Sequence, residues 1–229
     1  MFRYETHLHT YPVSACGHKT VRENLEFYKS LGYDGVFITN HFLDGNFSGN
    51  NNPALSYEEK IKFYNSDYEE AVKIGKEIGI RVFYGVELSY GGTDFLVYGL
   101  KPSWWLSHPE IMDMRKSEEL PYLMSFGAFV VQAHPYREAN YIDHIRLFPR
   151  QINGVEVFNA CRTELENKMA EYFAEQYGLL RLAGSDNHRA EELKVLAGME
   201  SDTPIKDEDD FIARVKNGEM RIFIYDRTK

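Results

Sequence analysis

Cysteine is scarce in this chain: two residues, Cys16 and Cys161, in 229. Two thiols are too few for a disulfide framework, so a reducing cytoplasm is the expected setting. Positive charge is also in deficit, with 26 lysines and arginines against 35 acidic residues and a formal net charge of −9. That balance argues against extended nucleic-acid binding, which needs basic patches. It leaves room for a small phosphorylated substrate held by one or two local cations. No apolar run is long enough to span a bilayer, so no membrane partner is expected. The chain opens without an apolar signal core, and it has neither a low-complexity tract nor a repeat at fixed period. A glycine-rich phosphate fingerprint is missing after the first strand, which disfavours a dinucleotide-binding fold.

What the chain does have is apolar and aromatic mass, 43% and 14% of its residues, enough for one sizeable core. Residues 1–229 are read as a single α/β domain. Residues 2–9 read as a strand that ends in Glu5-Thr6-His7-Leu8-His9-Thr10. Strand side chains alternate, so His7 and His9 share a side and Leu8 takes the other. Thr20-Val21-Arg22-Glu23, Ser56-Tyr57-Glu58-Glu59 and Thr163-Glu164-Leu165-Glu166 are capping boxes that open helices. Gly32, Gly79 and Gly178 stop them. The continuous apolar run at 35–39 has strand length and suits burial on both faces, and 80–86, 93–100, 128–133, 154–158 and 179–183 read as further strands. Residues 195–199 and 221–225 are candidate extended segments, with a helix over 207–215 between them. Residues 43–54 read as a surface loop, and 103–127 as helical, broken at Pro109 and Pro121.

Strand, ligand-type residue and helix recur about seven times, the mark of parallel β/α units. A closed or nearly closed barrel follows, with functional groups at the C-terminal strand ends. Those ends carry His7, His9, His41, Glu87, Asp94, His134, Asp186 and His188. Five of the eight histidines thus fall on one rim, which scattered structural histidines would have no reason to choose. Imidazoles with carboxylates suit zinc, manganese or iron. The ligands exceed one tetrahedral ion's need, so two or three divalent metal ions are expected. Closely spaced ions clamp attacking and leaving oxygens in phosphoryl displacement.

His7-Leu8-His9-Thr10, Ile38-Thr39-Asn40-His41, Gly85-Val86-Glu87, Ala133-His134-Pro135 and Gly184-Ser185-Asp186-Asn187-His188 occur in that order. In this the chain resembles the PHP (polymerase and histidinol phosphatase) family. The resemblance covers about residues 3–190. It implies a distorted seven-stranded (β/α) TIM-like barrel with a trinuclear metal cluster that hydrolyses phosphoesters. By motif, His7, His9, Glu87 and Asp186 would hold the first metal. Glu87 would bridge to a second, also held by His134, and His41 and His188 would hold a third. In the loop after His9, either Cys16 or His18 can fill a further ligand position. Asp94 stands where the family often has histidine, and a carboxylate there would shift that metal towards manganese or iron.

Arg137 and Arg162, just past strand ends, are the candidate phosphate-binding cations, since a guanidinium fork matches phosphate oxygens. Arg189 reads as a surface residue, His108 as structural, His144 as exposed and Cys161 as packed. The expected activity is hydrolysis of a small phosphomonoester by a metal-bridged hydroxide, with Glu87, Asp186 and His188 at the reacting centre. Histidinol phosphate or a nucleotide would be the substrate. The alternatives are a phosphotyrosine-protein phosphatase of the same family and a metal-dependent amide or lactone hydrolase.

Overall fold

The computed structural model describes residues 1–228, and of Glu191 the backbone only. In chain order the strands and helices are β1 (Phe2–Leu8), α1 (Val21–Ser30), β2 (Gly35–Ile38), α2 (Tyr57–Ile78), β3 (Arg81–Tyr90) and β4 (Thr93–Tyr98). They continue with α3 (Pro102–Ser107), α4 (Lys116–Ser125), β5 (Phe129–Ala133), β6 (Gly154–Asn159), α5 (Glu164–Tyr177) and β7 (Leu180–Gly184). The last are β8 (Val195–Ser201), α6 (Glu208–Lys216) and β9 (Arg221–Asp226). All three capping boxes form, with both reciprocal hydrogen bonds at Thr20, Ser56 and Thr163. Gly79 and Gly178 end α2 and α5 in the left-handed conformation that glycine adopts without steric cost.

The strands form one sheet in the order β7-β6-β5-β4-β3-β2-β1-β8-β9. Nine strands, rather than the expected seven, are present among the described residues. The uniform β/α alternation also needs correction. β4 is antiparallel to both β3 and β5, and β8 is antiparallel to β1 and β9. The reason lies in connection length. A parallel crossover needs a dozen or more residues, whereas Gly91-Gly92 is a two-residue link. Both glycines take positive φ, +57° and +87°, as a tight hairpin turn requires. The sheet curls until it nearly closes. The C-terminal end of β1 meets the chain just after β7, where His9 N–H donates to the Asn187 carbonyl at 3.1 Å and Asn187 N–H to the His7 carbonyl at 3.3 Å.

Alternation sorts the strand side chains into two layers. Phe37, Phe83, Leu96, Tyr98, Phe129 and Val131 point into the barrel. Tyr84, Val86, Phe95, Val97, Val130 and Val155 face the helices outside. Phe211, Ile212 and Val215 of α6 pack on the inner layer and close one end; Phe211 lies 4.7 Å from Phe37, ring to ring. The other end is the rim that carries the histidines. Each fully buried aromatic contributes on the order of 2 kcal/mol by leaving water, so the barrel is held apolar below and left polar above.

Candidate metal centre

The period of two explains which strand residues reach the rim. Glu87 shares parity with Phe83, and Asp94 with Leu96 and Tyr98, so both carboxylates point inward. Asp94 sits at the start of β4, not at its end. Because β4 runs antiparallel, its first residues lie on the same rim as the ends of its neighbours. Asp94 pairs with Ser89 on one side and Ala133 on the other, beside His134. β1 breaks register with β2 between Glu5 and Leu8, a bulge of the kind that re-aims side chains. His7 and His9 then converge, and Leu8 packs outward with Val21 and Leu25. His134 and Asp186 hold left-handed backbone, at φ 26° and 52°, a strained state for residues with a Cβ that clusters at functional sites.

The result is a set of side chains aimed at one another. His7 Nε2 lies 3.2 Å from His9 Nε2, 3.0 Å from Glu87 Oε1 and 3.6 Å from Asp186 Oδ1. His9 Nε2 is 3.3 Å from Glu87 Oε2 and 3.4 Å from Asp186 Oδ1, and His41 Nδ1 is 2.7 Å from Glu87 Oε2. His134 Nε2 lies 3.6 to 3.8 Å from Glu87, Asp94 and Asp186. Four groups have ligand atoms within 4.8 Å of one another. They are His9-Cys16-His41-His188, His7-His9-Glu87, His7-His134-Asp186 and Glu87-Asp94-His134.

Both Glu87 oxygens are buried with no hydrogen bond of acceptable geometry, despite three imidazole nitrogens within 3.3 Å. A buried carboxylate left so costs about 1–3 kcal/mol or more. Cations among these lone pairs would relieve it, and the donor types suit divalent metals. The residues present therefore fit the metal cluster that the motifs imply.

The electrostatics agree. Burial pushes the Glu87 carboxyl up, but His41, His7 and His9 outweigh it and hold it well below the usual carboxylate range. Asp186 is treated likewise, by His7, His9 and His188. Burial pushes His9 down and the neighbouring His188 and His41 push it further, towards the neutral ring that ligates, whereas the surrounding carboxylates, with Cys16 at His41 and His188, outweigh burial and hold His7, His41, His134 and His188 above the ordinary imidazole value. Burial raises the Cys16 thiol, yet hydrogen bonds with His188 and His41 bring it down to about 6. Cys16 is thus poised as thiolate, the metal-binding form. Cys161 is the contrast, pushed up to about 12 by burial and Asp186.

A surrounding layer holds the rings in place. Glu156 Oε1 accepts from His7 Nδ1 at 2.9 Å, while its Oε2 accepts from the His134 N–H at 3.1 Å and from Asn159 Nδ2 at 2.8 Å. Carboxylates in this position orient a ligating imidazole and raise its basicity. Ser14 Oγ lies 3.1 Å from His9 Nδ1 and donates to Asn40 Oδ1 at 2.9 Å. Asp67 of α2 accepts from Thr10 Oγ1 at 2.6 Å and Asn40 Nδ2 at 3.1 Å, tying the loop after β1 to the helix layer.

The structure brings His7, His9, Cys16, His41, Glu87, Asp94, His134, Asp186 and His188 together. Of the two loop candidates, Cys16 has its ligand atom in one of the four groups and His18 does not; His18 lines a smaller neighbouring pocket with Cys16, His188 and Arg189. His9 belongs to two of the groups, as His7, Glu87 and His134 also do, and one of its groups is the expected His7-His9-Glu87 set. Arg137 and Arg162 line the same cleft, of about 460 Å³, as Glu87, His134, Asp186 and His188. Arg137 Nη1 donates to Asp94 Oδ2 at 3.2 Å, and its guanidinium stacks on Tyr141. Arg189 pairs with Glu192 at the surface, His108 stacks on Trp104, and His144 is exposed. Glu156, Ser14, Asp67 and Tyr141 were not singled out from sequence. A signal existed for Glu156: a carboxylate between Val155 and Val157, inside an otherwise apolar strand, must point into the barrel.

The PHP-associated family model matches residues 164–220. No curated protein matches the sequence. Among solved structures, the chain is similar to a two-domain protein containing a predicted PHP-like metal-dependent phosphoesterase from Bacteroides vulgatus. That match has 13% identity and a TM-score of 0.69, and covers 97% of this chain and 64% of the other. The chain therefore spans less than two thirds of that relative's length. PsfC from Pseudomonas syringae is similar at 16% identity and TM-score 0.63, over 98% of this chain and 92% of that one. An amidohydrolase from Chromobacterium violaceum is similar at 16% identity and TM-score 0.58, over 96% and 97%. At these identities the likeness is one of fold. The resemblance to the PHP family read from the motifs is borne out: the chain joins those motifs to the PHP-associated segment and to the fold of a PHP-like protein.

Proposed function

We propose that the protein is a metal-dependent phosphoesterase that hydrolyses a small phosphomonoester. The observation that carries this reading is the pair of arginines on the cleft wall. Arg137 and Arg162 each keep a buried Nε without a hydrogen-bond partner, and both line the cleft of the clustered ligands. A buried donor with no acceptor is costly, and phosphate oxygens are the acceptors a planar guanidinium fork fits. Two guanidinium charges on the cleft wall favour an anion beside the ligand cluster.

His7, His9, Cys16, His41, Glu87, Asp94, His134, Asp186 and His188 would hold two or three divalent ions of zinc, manganese or iron. Ions held there supply Lewis acidity and a nucleophilic water at neutral pH. The chain's own residues do the rest. Arg162 and Arg137 orient the phosphate and offset charge on its non-bridging oxygens. Glu156 fixes the tautomer and plane of His7. Histidinol phosphate, a nucleotide or a phosphotyrosyl group are the candidate substrates.

Amide or lactone hydrolysis is the second reading, favoured by the fold shared with the Chromobacterium violaceum amidohydrolase. That chemistry has no need of unpaired guanidinium donors. The test is phosphate release from a panel of phosphomonoesters after loading with Mn, Zn or Fe. Release should require metal and vanish in Asp186→Asn. In Arg162→Met the KM should rise about tenfold, the loss of about 1.4 kcal/mol of binding. No release with two or more equivalents of metal bound would favour the amide or lactone reading.

A further inference from the structure

The ligand-bearing cleft continues past Ser89. A second cavity, of about 430 Å³, shares Asp44 and Ser89 with it as a common wall. Ser89 lies directly opposite Asp94 across the β3–β4 hairpin, so the cavity begins within one cross-strand pair of a candidate ligand. Its sides are part apolar, from Tyr90, Ile111, Met112, Met114 and Phe148, and part polar, with Arg115 and Ser117 on the same lining. Lys116 is set among them with its side chain 8% exposed, beside Glu119 at 3%.

The Lys116 ammonium donates to Asp44 Oδ2 at 2.5 Å and to Glu119 Oε2 at 2.6 Å. An ammonium carries three protons, so one donor remains for whatever fills the cavity. An ion pair buried only to satisfy itself gains little, because desolvation offsets the attraction. A donor at the edge of an apolar cavity next to a reaction centre has a clearer use. Asp44 and, once ionised, Glu119 offset the lysine charge, and Arg115 on the same lining is paired with Glu118, so no cation is left in excess to call for an anion. A neutral acceptor, such as a carbonyl, fits.

We propose that this cavity is the subsite for the leaving alcohol of the substrate, and that it takes a planar apolar group ending in a neutral hydrogen-bond acceptor, which Lys116 meets. The assignment rests on the phosphoesterase reading above, which places the phosphate in the first cleft.

Three probes test it: 4-acetylbenzyl phosphate, benzyl phosphate and ethyl phosphate, each given to metal-loaded wild type, Met112→Trp and Lys116→Met. Met112 is 40% exposed, so tryptophan there fills the cavity without disturbing the core. Met112→Trp should raise KM for both benzyl esters at least tenfold and leave ethyl phosphate unchanged. Lys116→Met should raise KM for the acetyl ester more than for benzyl phosphate. Should that variant not fold, the wild-type preference for the acetyl over the plain benzyl ester decides the acceptor. Calorimetric binding of 4-acetylbenzyl alcohol to wild type and Met112→Trp gives a readout free of turnover. Binding lost in Met112→Trp, with no phosphate released from any ester, would uphold the cavity as a site for an apolar group with a neutral acceptor, but would sink the phosphoesterase reading and with it the leaving-alcohol role. Turnover of all three esters at equal KM, or failure of the alcohol to bind, would overturn the subsite and leave that reading standing.

Discussion

Glu156 is buried, yet it meets three polar partners on the rim side of the barrel. One is His7, 149 residues earlier in the chain. Removing its carboxylate leaves His7 Nδ1 without its partner and the His134 amide without an acceptor. Glu156→Ala is expected to weaken zinc or manganese affinity about 10–100-fold, the usual loss when such a supporting carboxylate is removed. Competition against a chelator measures this, and unchanged affinity would rule out an orienting role. Glu119 makes a second case. Burial pushes its carboxyl up to about 7 despite the neighbouring Lys116. A raised folded-state value means stability that is complete below about 4.5 and is lost as pH climbs through about 7. At about 1.4 kcal/mol per unit, the loss is about 3 kcal/mol. Glu119→Gln cannot ionise, so from pH 4.5 to 8 the stability difference should move in the variant's favour by about that much. Urea titrations at a series of pH values would show it, and a flat difference would contradict it.

At the scale of elements, the β3–β4 hairpin does the most for the site. It carries Glu87 and Asp94 on two strands of opposite direction and sets Ser89 between the two cavities. Its turn depends on Gly92, held at φ +87°, where an added Cβ would also stand 2.5 Å from Ile142 Cγ1. Gly92→Ala should lower stability by about 1–3 kcal/mol through strain at that φ. It should also impair metal uptake through displacement of Asp94. An unshifted urea midpoint would show that the turn tolerates a side chain. The helices act differently. Their capping boxes make α1, α2 and α5 locally self-consistent, and they serve as the outer layer on which the strands are aligned.

For the whole molecule, the dominant feature is an apolar barrel interior beneath a rim of buried imidazoles and carboxylates, with both Glu87 oxygens left without a hydrogen bond. Such a rim is a cost to the metal-free fold. Binding of ions to the folded state alone stabilises it by about 2.7 kcal/mol per site at a hundredfold excess over Kd. For a chain of this length that corresponds to a rise in Tm of about 5–10 °C. Thermal unfolding before and after chelation, with manganese or zinc added back, should show that rise. An equal Tm with and without metal would mean that the rim is stable as it stands.

Much of this was legible in the sequence, for identifiable reasons. The three capping boxes, the glycine stops and the apolar runs are local patterns, and local hydrogen bonding enforces them whatever the rest of the chain does. The His-x-His pair and the ligand residues at strand ends were legible because alternation and the common rim of a barrel constrain where such side chains can go. The direction of β4 was less so, although Gly91-Gly92 is too short for a crossover and marks a hairpin. By itself, then, the sequence determined the elements, their inner and outer faces and the ligand types. Tertiary structure alone decided that Cys16 rather than His18 joins the ring cluster, that Glu156 holds His7, that Asp94 reaches the rim from the start of its strand, and that Lys116 faces a cavity. These depend on closure of the sheet, which joins residues far apart in the chain. Such contacts form only when many strands pack at once, and no short stretch of sequence encodes them.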